Sequence, residues 1–362
     1  MISRRLAVAV SAVLLVAFGV AACESGGSQS GSGSGGKIAL LLPESQTTRY
    51  EQHDRPLFEA KVKELCADCE VIYSNAQQDQ SRQQQQAEAA LNNGAQVLVL
   101  DPVDGAAAAT IVSLAKSKNV PVISYDRLIQ NAPVDYYISF DNERVGQLQG
   151  ESLVSRLKEL GKTAGNVVMI NGSPTDNNAK QFNKGAHSVL DTSGFKTVPT
   201  PDFFTPEWKP ENAQRFMEGQ ISQLGKDGFV GVYAANDGTA GGAISAMRAA
   251  GMSPVPPTTG QDAELAAIQR IVNGDQYMTV YKAFQPEADK AAELAVALVK
   301  GEKPTTDRTV DNGAVDVPSF LLEPQAVNKQ NIKDTVVADK LYTVEQICTQ
   351  TYAAACQAAG LT

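Results

Sequence analysis

Apolar and polar positions along this chain fall into two repeating patterns. Short unbroken apolar runs are followed, many times over, by longer stretches in which apolar residues recur every three or four positions. The first pattern reads as buried strands, the second as amphipathic helices. Strands are expected at KIALLLP (37–43), CEVIYSN (69–75), AQVLVLD (95–101), VPVISYD (120–126), GNVVMIN (165–171) and GFVGVYAAND (228–237), with weaker candidates at VPPTTGQD (255–262) and QYMTVYK (276–282). Helices are expected over 55–65, 80–92, 105–118, 143–160, 177–190, 210–224, 239–250, 263–273 and 285–300, several ended by Gly or Asn, as at Asn93-Gly94 and Asn273-Gly274. The glutamine-rich run 77–86 continues into AEAALNN with helical spacing, so it reads as a solvated helix face. Strand and helix alternating in this way make parallel sheets covered by helices; the expected class is α/β, doubly wound, and built twice.

The amino terminus breaks the pattern. Arg4 and Arg5 precede an apolar run from Leu6 to Val20, and Ala21-Ala22-Cys23 follows at once. The run is shorter than the ~20 residues a spanning helix needs, and small residues stand where a signal peptidase cuts. Residues 1–22 therefore read as a bacterial lipoprotein signal and Cys23 as the lipidated first residue of the mature protein, on the outer face of the cell membrane. ESGGSQSGSGSGG completes a flexible Gly/Ser tether over 23–36. About 325 residues remain, more than one hydrophobic core usually accommodates, which favours two domains.

Charge and cysteines narrow the chemistry. The chain carries 31 basic against 40 acidic residues, a formal charge of -9, and losing Arg4 and Arg5 makes it more acidic still. That balance argues against nucleic acid, which needs a basic footprint. Cys66, Cys69, Cys348 and Cys356 form an even set in a compartment where disulfides persist, and the economical pairing is local, 66 with 69 and 348 with 356. The rival reading of Cys66-Ala67-Asp68-Cys69 as a redox dithiol is weakened because the motif ends a helix, whereas a helix start is what stabilises a thiolate. With His53 and His187 as the only histidines and no second zinc-like pair, no metal or cofactor is expected.

In open α/β sheets ligands lie beyond the carboxyl ends of the strands. Here those ends carry Pro43 to Tyr50, Asp101-Pro102, Asp126-Arg127, Asn171 to Asn178, Asn236-Asp237, Gln261-Asp262 and Lys282. Carboxylates, amides, Arg and Lys can bond two neighbouring hydroxyls at once, while Trp208 and Tyr50 offer aromatic faces to C–H surfaces. Each has a plainer alternative: Asn236 could merely cap a helix, Asp126-Arg127 could be a structural ion pair, and Lys282 a surface lysine. Gly238, Gly241 and Gly242 lack the Gly-Lys-Ser/Thr context of a phosphate cradle. No G-x-S-x-G elbow and no placed carboxylate pair supports catalysis.

The stretch SYDRLIQNAPVDYYISFDNERVGQLQGESLV resembles the D-xylose-binding periplasmic proteins of ABC importers, which have the type 1 periplasmic-binding fold. GSPTDNNAK (172–180), WKPENA (208–213), AANDGTAGGAI (234–244), GQDAELAAIQRI (260–271), MTVYK (278–282), DNGAVDVPSFLLEPQAVNK (311–329) and NIKDTVV (331–337) resemble it in the same order, so the likeness runs from about Lys37 to Val337. The resemblance implies two similar lobes closing on a monosaccharide: 37–140 with 279–311, and 141–278 with 312–362. Three crossovers would fall near Ser139 to Asn142, Gln276 to Val280 and Val310 to Gly313. It also implies that Trp208 and Tyr50 sandwich the ring, while Asp126, Arg127, Asn177, Asn236, Asp262 and Lys282 bond the hydroxyls; Arg49, beside Tyr50, joins them as a ligand-binding candidate. The segment TTRYEQHDRPLF departs from the family in having tyrosine where tryptophan stands, and the part from Ala338 on, with Cys348 and Cys356, is an addition the resemblance does not cover. The expected role is a monomeric, non-enzymatic binding lipoprotein that delivers D-xylose to an ABC permease. D-glucose or another aldose is the alternative ligand, and a sugar sensor not needed for uptake the alternative role.

Overall fold

The computed structural model describes residues 35–361 except Asp307. The expected signal peptide, Cys23 and the tether up to Ser34 lie outside the described residues. The chain begins with β1 (Lys37–Leu42), α1 (Arg55–Leu65), β2 (Glu70–Asn75), α2 (Gln80–Asn92), β3 (Val97–Leu100), α3 (Ala109–Ser117), β4 (Val122–Tyr125) and β5 (Tyr136–Phe140). There follow α4 (Asn142–Glu159), β6 (Gly165–Asn171), α5 (Asn177–Leu190), β7 (Phe195–Phe204), α6 (Pro210–Leu224), β8 (Gly231–Ala234), α7 (Asp237–Ala249), α8 (Leu265–Asn273) and β9 (Met278–Tyr281). The last elements are α9 (Phe284–Val299), β10 (Arg308–Asp311), β11 (Asp316–Leu322), β12 (Gln325–Asn328), α10 (Val344–Ile347) and α11 (Ala353–Ala358).

The first sheet has the order β10-β11-β5-β4-β3-β1-β2, parallel except for β10. Because side chains alternate across a strand, β1 serves both faces. Ile38, Leu40 and Leu42 pack with Phe58 and Val62 of α1 and Ala288, Ala291 and Ala295 of α9. Ala39 and Leu41 pack with Ala87 of α2 and Ile111 and Val112 of α3. Burial on both sides is why the run is apolar throughout instead of alternating.

The second sheet has β7-β6-β8 in parallel. Backbone bonds from Val232 N to Pro257 O, Thr259 N to Val232 O and Val280 N to Gly260 O carry it through segment 257–262 to β9, which pairs with β12. One face packs on α4 and α5, with Leu153, Leu157, Phe182 and Ala186 meeting Val167 and Met169. The other packs on α6 and α7, with Met217, Ala243 and Met247 meeting Val168 and Val232. Four of the helices on these sheets start where short polar side chains take the first free N–H groups: Asp79 at α2, Asp141 at α4, Asp176 at α5 and Asn236 at α7.

Strand pairing places two of the three crossings away from the expected positions. The chain passes between sheets at Asp141, again between Tyr281 and Phe284, and last between Leu322 and Gln325. Residues 279–281, expected in the first lobe, pair with β12 in the second, and 312–322, expected in the second, include β11, which pairs with β5 in the first. The segment Asp311-Asn312-Gly313-Ala314, where the resemblance implied a crossing, is the turn of the β10–β11 hairpin. Gly313 has φ +90°, and the Asn312 side chain accepts from Ala314 N and Val315 N while donating to Ile129 O and Ala132 O.

The carboxyl-terminal addition packs Tyr342, Ile347, Cys356 and Leu361 on Ile268, Ile271 and Val272 of α8. The sulfurs of Cys348 and Cys356 stand at bonding distance with Cα atoms 5.8 Å apart, and those of Cys66 and Cys69 likewise at 5.3 Å. Among the described residues no helix is long and apolar enough to cross a membrane.

Candidate ligand-binding cleft

Both sheets turn the carboxyl ends of their parallel strands toward one cleft. It is lined from the first lobe by Thr47, Tyr50, Asp126 and Arg127, and from the second by Asp176, Asn178, Phe182, Trp208, Asn236, Gln261, Asp262 and Lys282. All are nearly or fully buried.

Asp126 follows β4 at φ +53°, a left-handed backbone that turns its carboxylate into the cleft. Its Oδ1 accepts from Arg49 Nη1 at 3.2 Å and from Lys282 Nζ at 3.4 Å, and its Oδ2 accepts from the Tyr50 hydroxyl at 2.8 Å. Burial alone would raise this carboxyl, but Arg49, Lys282 and Arg127 outweigh it and hold Asp126 below the usual carboxylate range, so it stays an ionised acceptor. Lys282 bridges the lobes, its Nζ 3.4 Å from both Asp126 Oδ1 and Asp262 Oδ1. Burial pulls the Lys282 ammonium down, and the two carboxylates raise it further than that, so it remains charged.

Arg127 lies deeper, with Nε 3.1 Å from Asp176 Oδ2, Nη2 3.4 Å from Glu44 Oε1 and Nε 3.6 Å from Asp101 Oδ1. Burial pushes the Asp176 and Asp101 carboxyls up against the pull of Arg127. Asp176 caps α5 through Oδ1, bonded by Asn178 N at 2.8 Å, and its Oδ2 accepts from Trp208 Nε1 at 3.1 Å, fixing the indole in the wall. Trp208 follows a tight turn with φ +56° and meets the Phe182 ring edge-on at 6.5 Å between centroids.

The cleft thus holds ionised acceptors, charged and amide donors, and the aromatic side chains of Tyr50, Phe182 and Trp208. Both cations are already matched by carboxylates, which leaves no net positive charge for a phosphorylated ligand. Two buried polar atoms on its walls have neither a hydrogen-bond nor an ion-pair partner among the described residues: Asn178 Oδ1 and Gln261 Oε1. Buried polar atoms are rarely left unpaired, so they mark where a hydroxyl-bearing ligand would bond.

Of the residues singled out in the sequence, the fold gathers Tyr50, Asp126, Arg127, Trp208, Asn236, Asp262 and Lys282 on these walls. It does not bring Arg49 or Asn177 there. The Arg49 guanidinium is drawn into the first lobe by Asp54 at 2.6 Å and Glu287 at 2.5 Å. The Asn177 Oδ1 accepts from Gln130 Nε2 at 2.8 Å outside the cleft, and its neighbour Asn178 turns inward. Asn236 combines two roles, since its Oδ1 accepts from Thr239 N at 2.9 Å as the cap of α7 while the residue lines the cleft. Thr47, Asp176, Asn178, Phe182 and Gln261 were missed, although Asp176-Asn177-Asn178 and Gln261-Asp262 stand at expected strand ends.

Two α/β lobes with one small, closed, doubly lined cleft between them define a periplasmic-type solute-binding protein. The sequence from 38 to 303 matches the family model described as periplasmic binding protein domain. The D-xylose-binding periplasmic protein of Haemophilus influenzae is 44% identical over 314 residues, covering 86% of this chain and 92% of that protein. Its Escherichia coli counterpart is 41% identical with the same coverage. The solute-binding protein of an ABC transporter from Clostridium phytofermentans, solved with bound β-D-glucose, superposes with a TM-score of 0.80 at 32% identity, covering 86% of this chain and 99% of that one. The chain belongs to the periplasmic binding protein family, in the branch that holds the D-xylose-binding periplasmic proteins. Proteins of this branch are extracytoplasmic and non-enzymatic.

Proposed function

We propose that this chain is the lipid-anchored binding component of an ABC sugar importer, that it holds D-xylose in the cleft, and that it delivers the sugar to the permease. The observation that carries the reading is the pair of unpartnered buried atoms on Asn178 and Gln261, beside the ion-paired Asp126, Asp262 and Lys282 and the aromatic walls of the cleft. Vicinal hydroxyls match the acceptors and donors there, and apolar C–H faces match Trp208, Tyr50 and Phe182. In this reading Asp126, Arg127, Asn178, Asn236, Gln261, Asp262 and Lys282 bond hydroxyls, and Arg49 and Asn177 act from outside the cleft. The identity to two D-xylose-binding relatives supports xylose. Lipid attachment at Cys23 and two local disulfides, Cys66–Cys69 and Cys348–Cys356, complete the mature protein.

Sugar bonded to one lobe would supply contacts that favour closure, and the permease would read the closed surface. An affinity around micromolar corresponds to roughly -8 kcal/mol. An epimer would leave cleft groups unpaired, which gives stereochemical selectivity. A second ligand, D-glucose, is favoured by the glucose held in the Clostridium phytofermentans structure.

The test is a thermal-shift screen of the chain from Lys37 against D-xylose, D-glucose, D-ribose, D-galactose and L-arabinose, with calorimetry on each hit. A ligand that binds only the native state raises its stability by mass action, so stabilisation by xylose above the others is expected. Stabilisation by glucose alone would change the ligand, and silence toward every sugar would defeat the reading. Loss of xylose uptake in a deletion strain separates transport from sensing.

A further inference from the structure

Behind the first-lobe wall lies a buried charge cluster. Glu287, in the first turn of α9, is fully buried; its Oε2 accepts from Arg49 Nη2 at 2.5 Å, and its Oε1 has no partner. Arg49 grips Asp54 as well, through Nε at 2.8 Å and Nη2 at 2.6 Å, and its guanidinium lies 4.5 Å from the centre of the Phe284 ring. Asp54 also accepts from the Tyr125 hydroxyl. The remaining arm of Arg49, Nη1, donates to Asp126 Oδ1. Within this cluster Asp126 is the member that faces the cleft, and a guanidinium is a rigid planar fork, so what holds two arms aims the third.

We propose that Glu287 is a positioning residue for ligand binding: it holds Arg49 from behind, and so fixes the direction in which Arg49 presents the Asp126 carboxylate to a ligand hydroxyl. The proposal rests on the reading of the cleft as a sugar site.

The groups that face Glu287 are Arg49, Asp54, Tyr125, Asp126 and Lys282. Burial, opposed by Arg49 and reinforced by Asp126 and Asp54, pushes its carboxyl up to about 8. With Glu287 protonated, Arg49 is balanced by Asp54 and Asp126. As pH rises through about 8 Glu287 ionises, competes with Asp126 for Arg49 and adds negative charge behind the site. Glutamine keeps a neutral acceptor of the same shape; leucine removes the acceptor.

Calorimetric titration of D-xylose and D-glucose into wild type, Glu287→Gln and Glu287→Leu at pH 6.5 to 9.5 tests this, with thermal melts confirming that each is folded. Wild-type affinity is expected to fall several-fold as pH rises through about 8. Glu287→Gln is expected to match wild type at pH 7 and to show a flatter profile. Glu287→Leu is expected to bind about tenfold more weakly at pH 7, the scale of coupling between groups in one buried network. Asp237 and Glu264, raised by burial to about 7 and about 8, titrate in the same range, but they belong to the second lobe and are present in every variant. The difference between wild type and Glu287→Gln therefore isolates Glu287. Equal pH profiles for these two would overturn the proposal even if Glu287→Leu did not fold, as would wild-type affinity in a folded Glu287→Leu. Wild type that binds neither sugar at any pH would instead defeat the sugar reading.

Discussion

A single missing methyl group holds one wall of the cleft in place. Gly172 follows β6, and a Cβ built there would fall 1.9 Å from Trp208 Cη2 and 2.1 Å from Cζ2, so the indole edge rests on bare backbone. Gly172→Ala must push the ring outward and strain its Nε1 bond to Asp176. Overpacking of this kind costs about 1–3 kcal/mol of stability, and loss of the fixed aromatic wall is expected to weaken sugar binding about tenfold or more. The chain has one tryptophan, so its emission reports the displacement directly; unchanged emission together with unchanged calorimetric affinity would refute the packing argument. At this scale the sequence is informative about which strand ends face the ligand and less so about which side chain of a pair turns in. Asn177 and Asn178 are adjacent polar residues at the start of one helix, and their roughly 100° separation around it sends one to Gln130 and the other to the cleft. Arg49 shows a different limit: the acids that withdraw it, Asp54 and Glu287, lie 5 and 238 positions away, and only the folded chain brings the second to it.

Elements were legible wherever burial on both sides or a full helical face wrote a clear period. The helices α1, α2, α5 and α6 span the ranges that periodicity predicts, and β1 to β4 fall within their apolar runs. β7 was not legible because FKTVPTPDFF contains Pro199 and Pro201, which a central strand cannot accommodate; the order β7-β6-β8 shows it at an edge, where a missing N–H is tolerated. The hairpin β10–β11 was not among the strands read from the pattern, since it is half exposed and RTVD carries a single large apolar residue; the crossover placed there came from the resemblance.

Edge strand β7 is tied to α5 by His187, whose Nε2 lies 2.8 Å from Asp202 Oδ2 and whose Nδ1 lies 2.9 Å from Asp191 Oδ1. Partial burial lowers this imidazole, but its bonds to the two carboxylates outweigh that and raise it above the ordinary histidine value of 6.5. A raised folded value means that the native state binds the proton more tightly. The resulting stability is fully present below pH 6.5 and is lost as pH climbs through the raised value. Thermal melts should therefore show wild type losing its margin over His187→Gln as pH rises from 6 to 8.5. Parallel melting curves across that range would mean that the pair contributes nothing.

At the scale of the whole molecule, the lobes bond to each other directly and not only through a ligand. Thr175 Oγ1 donates to Val103 O at 3.1 Å, Gly105 N to Thr175 O at 3.2 Å, Gln130 Nε2 to Asn177 Oδ1 at 2.8 Å, and Gln78 Nε2 to Glu207 O at 3.1 Å. Each bond joins one lobe to the other and would have to break for the cleft to open, and none of the four involves a side chain on its walls. A ligand shifts an open–closed equilibrium only by its differential affinity, and its apparent affinity is reduced by the fraction of protein in the binding-competent state. Removing a latch should therefore weaken every ligand by the same factor, whereas removing a wall group should weaken each sugar according to the hydroxyl it contacts. Asn177→Ala deletes one neutral hydrogen bond, worth about 1 kcal/mol or a roughly fivefold change in the equilibrium. It should raise the dissociation constants of xylose and glucose alike, leave their ratio unchanged, and increase the radius of gyration of the sugar-free protein in solution scattering. Asn178→Ala, one residue along, should alter that ratio. If Asn177→Ala changed the xylose-to-glucose ratio as strongly, the side chain would be touching sugar after all and the latch assignment would fail. If it changed neither affinity nor dimensions, the Gln130–Asn177 bond would contribute nothing to closure.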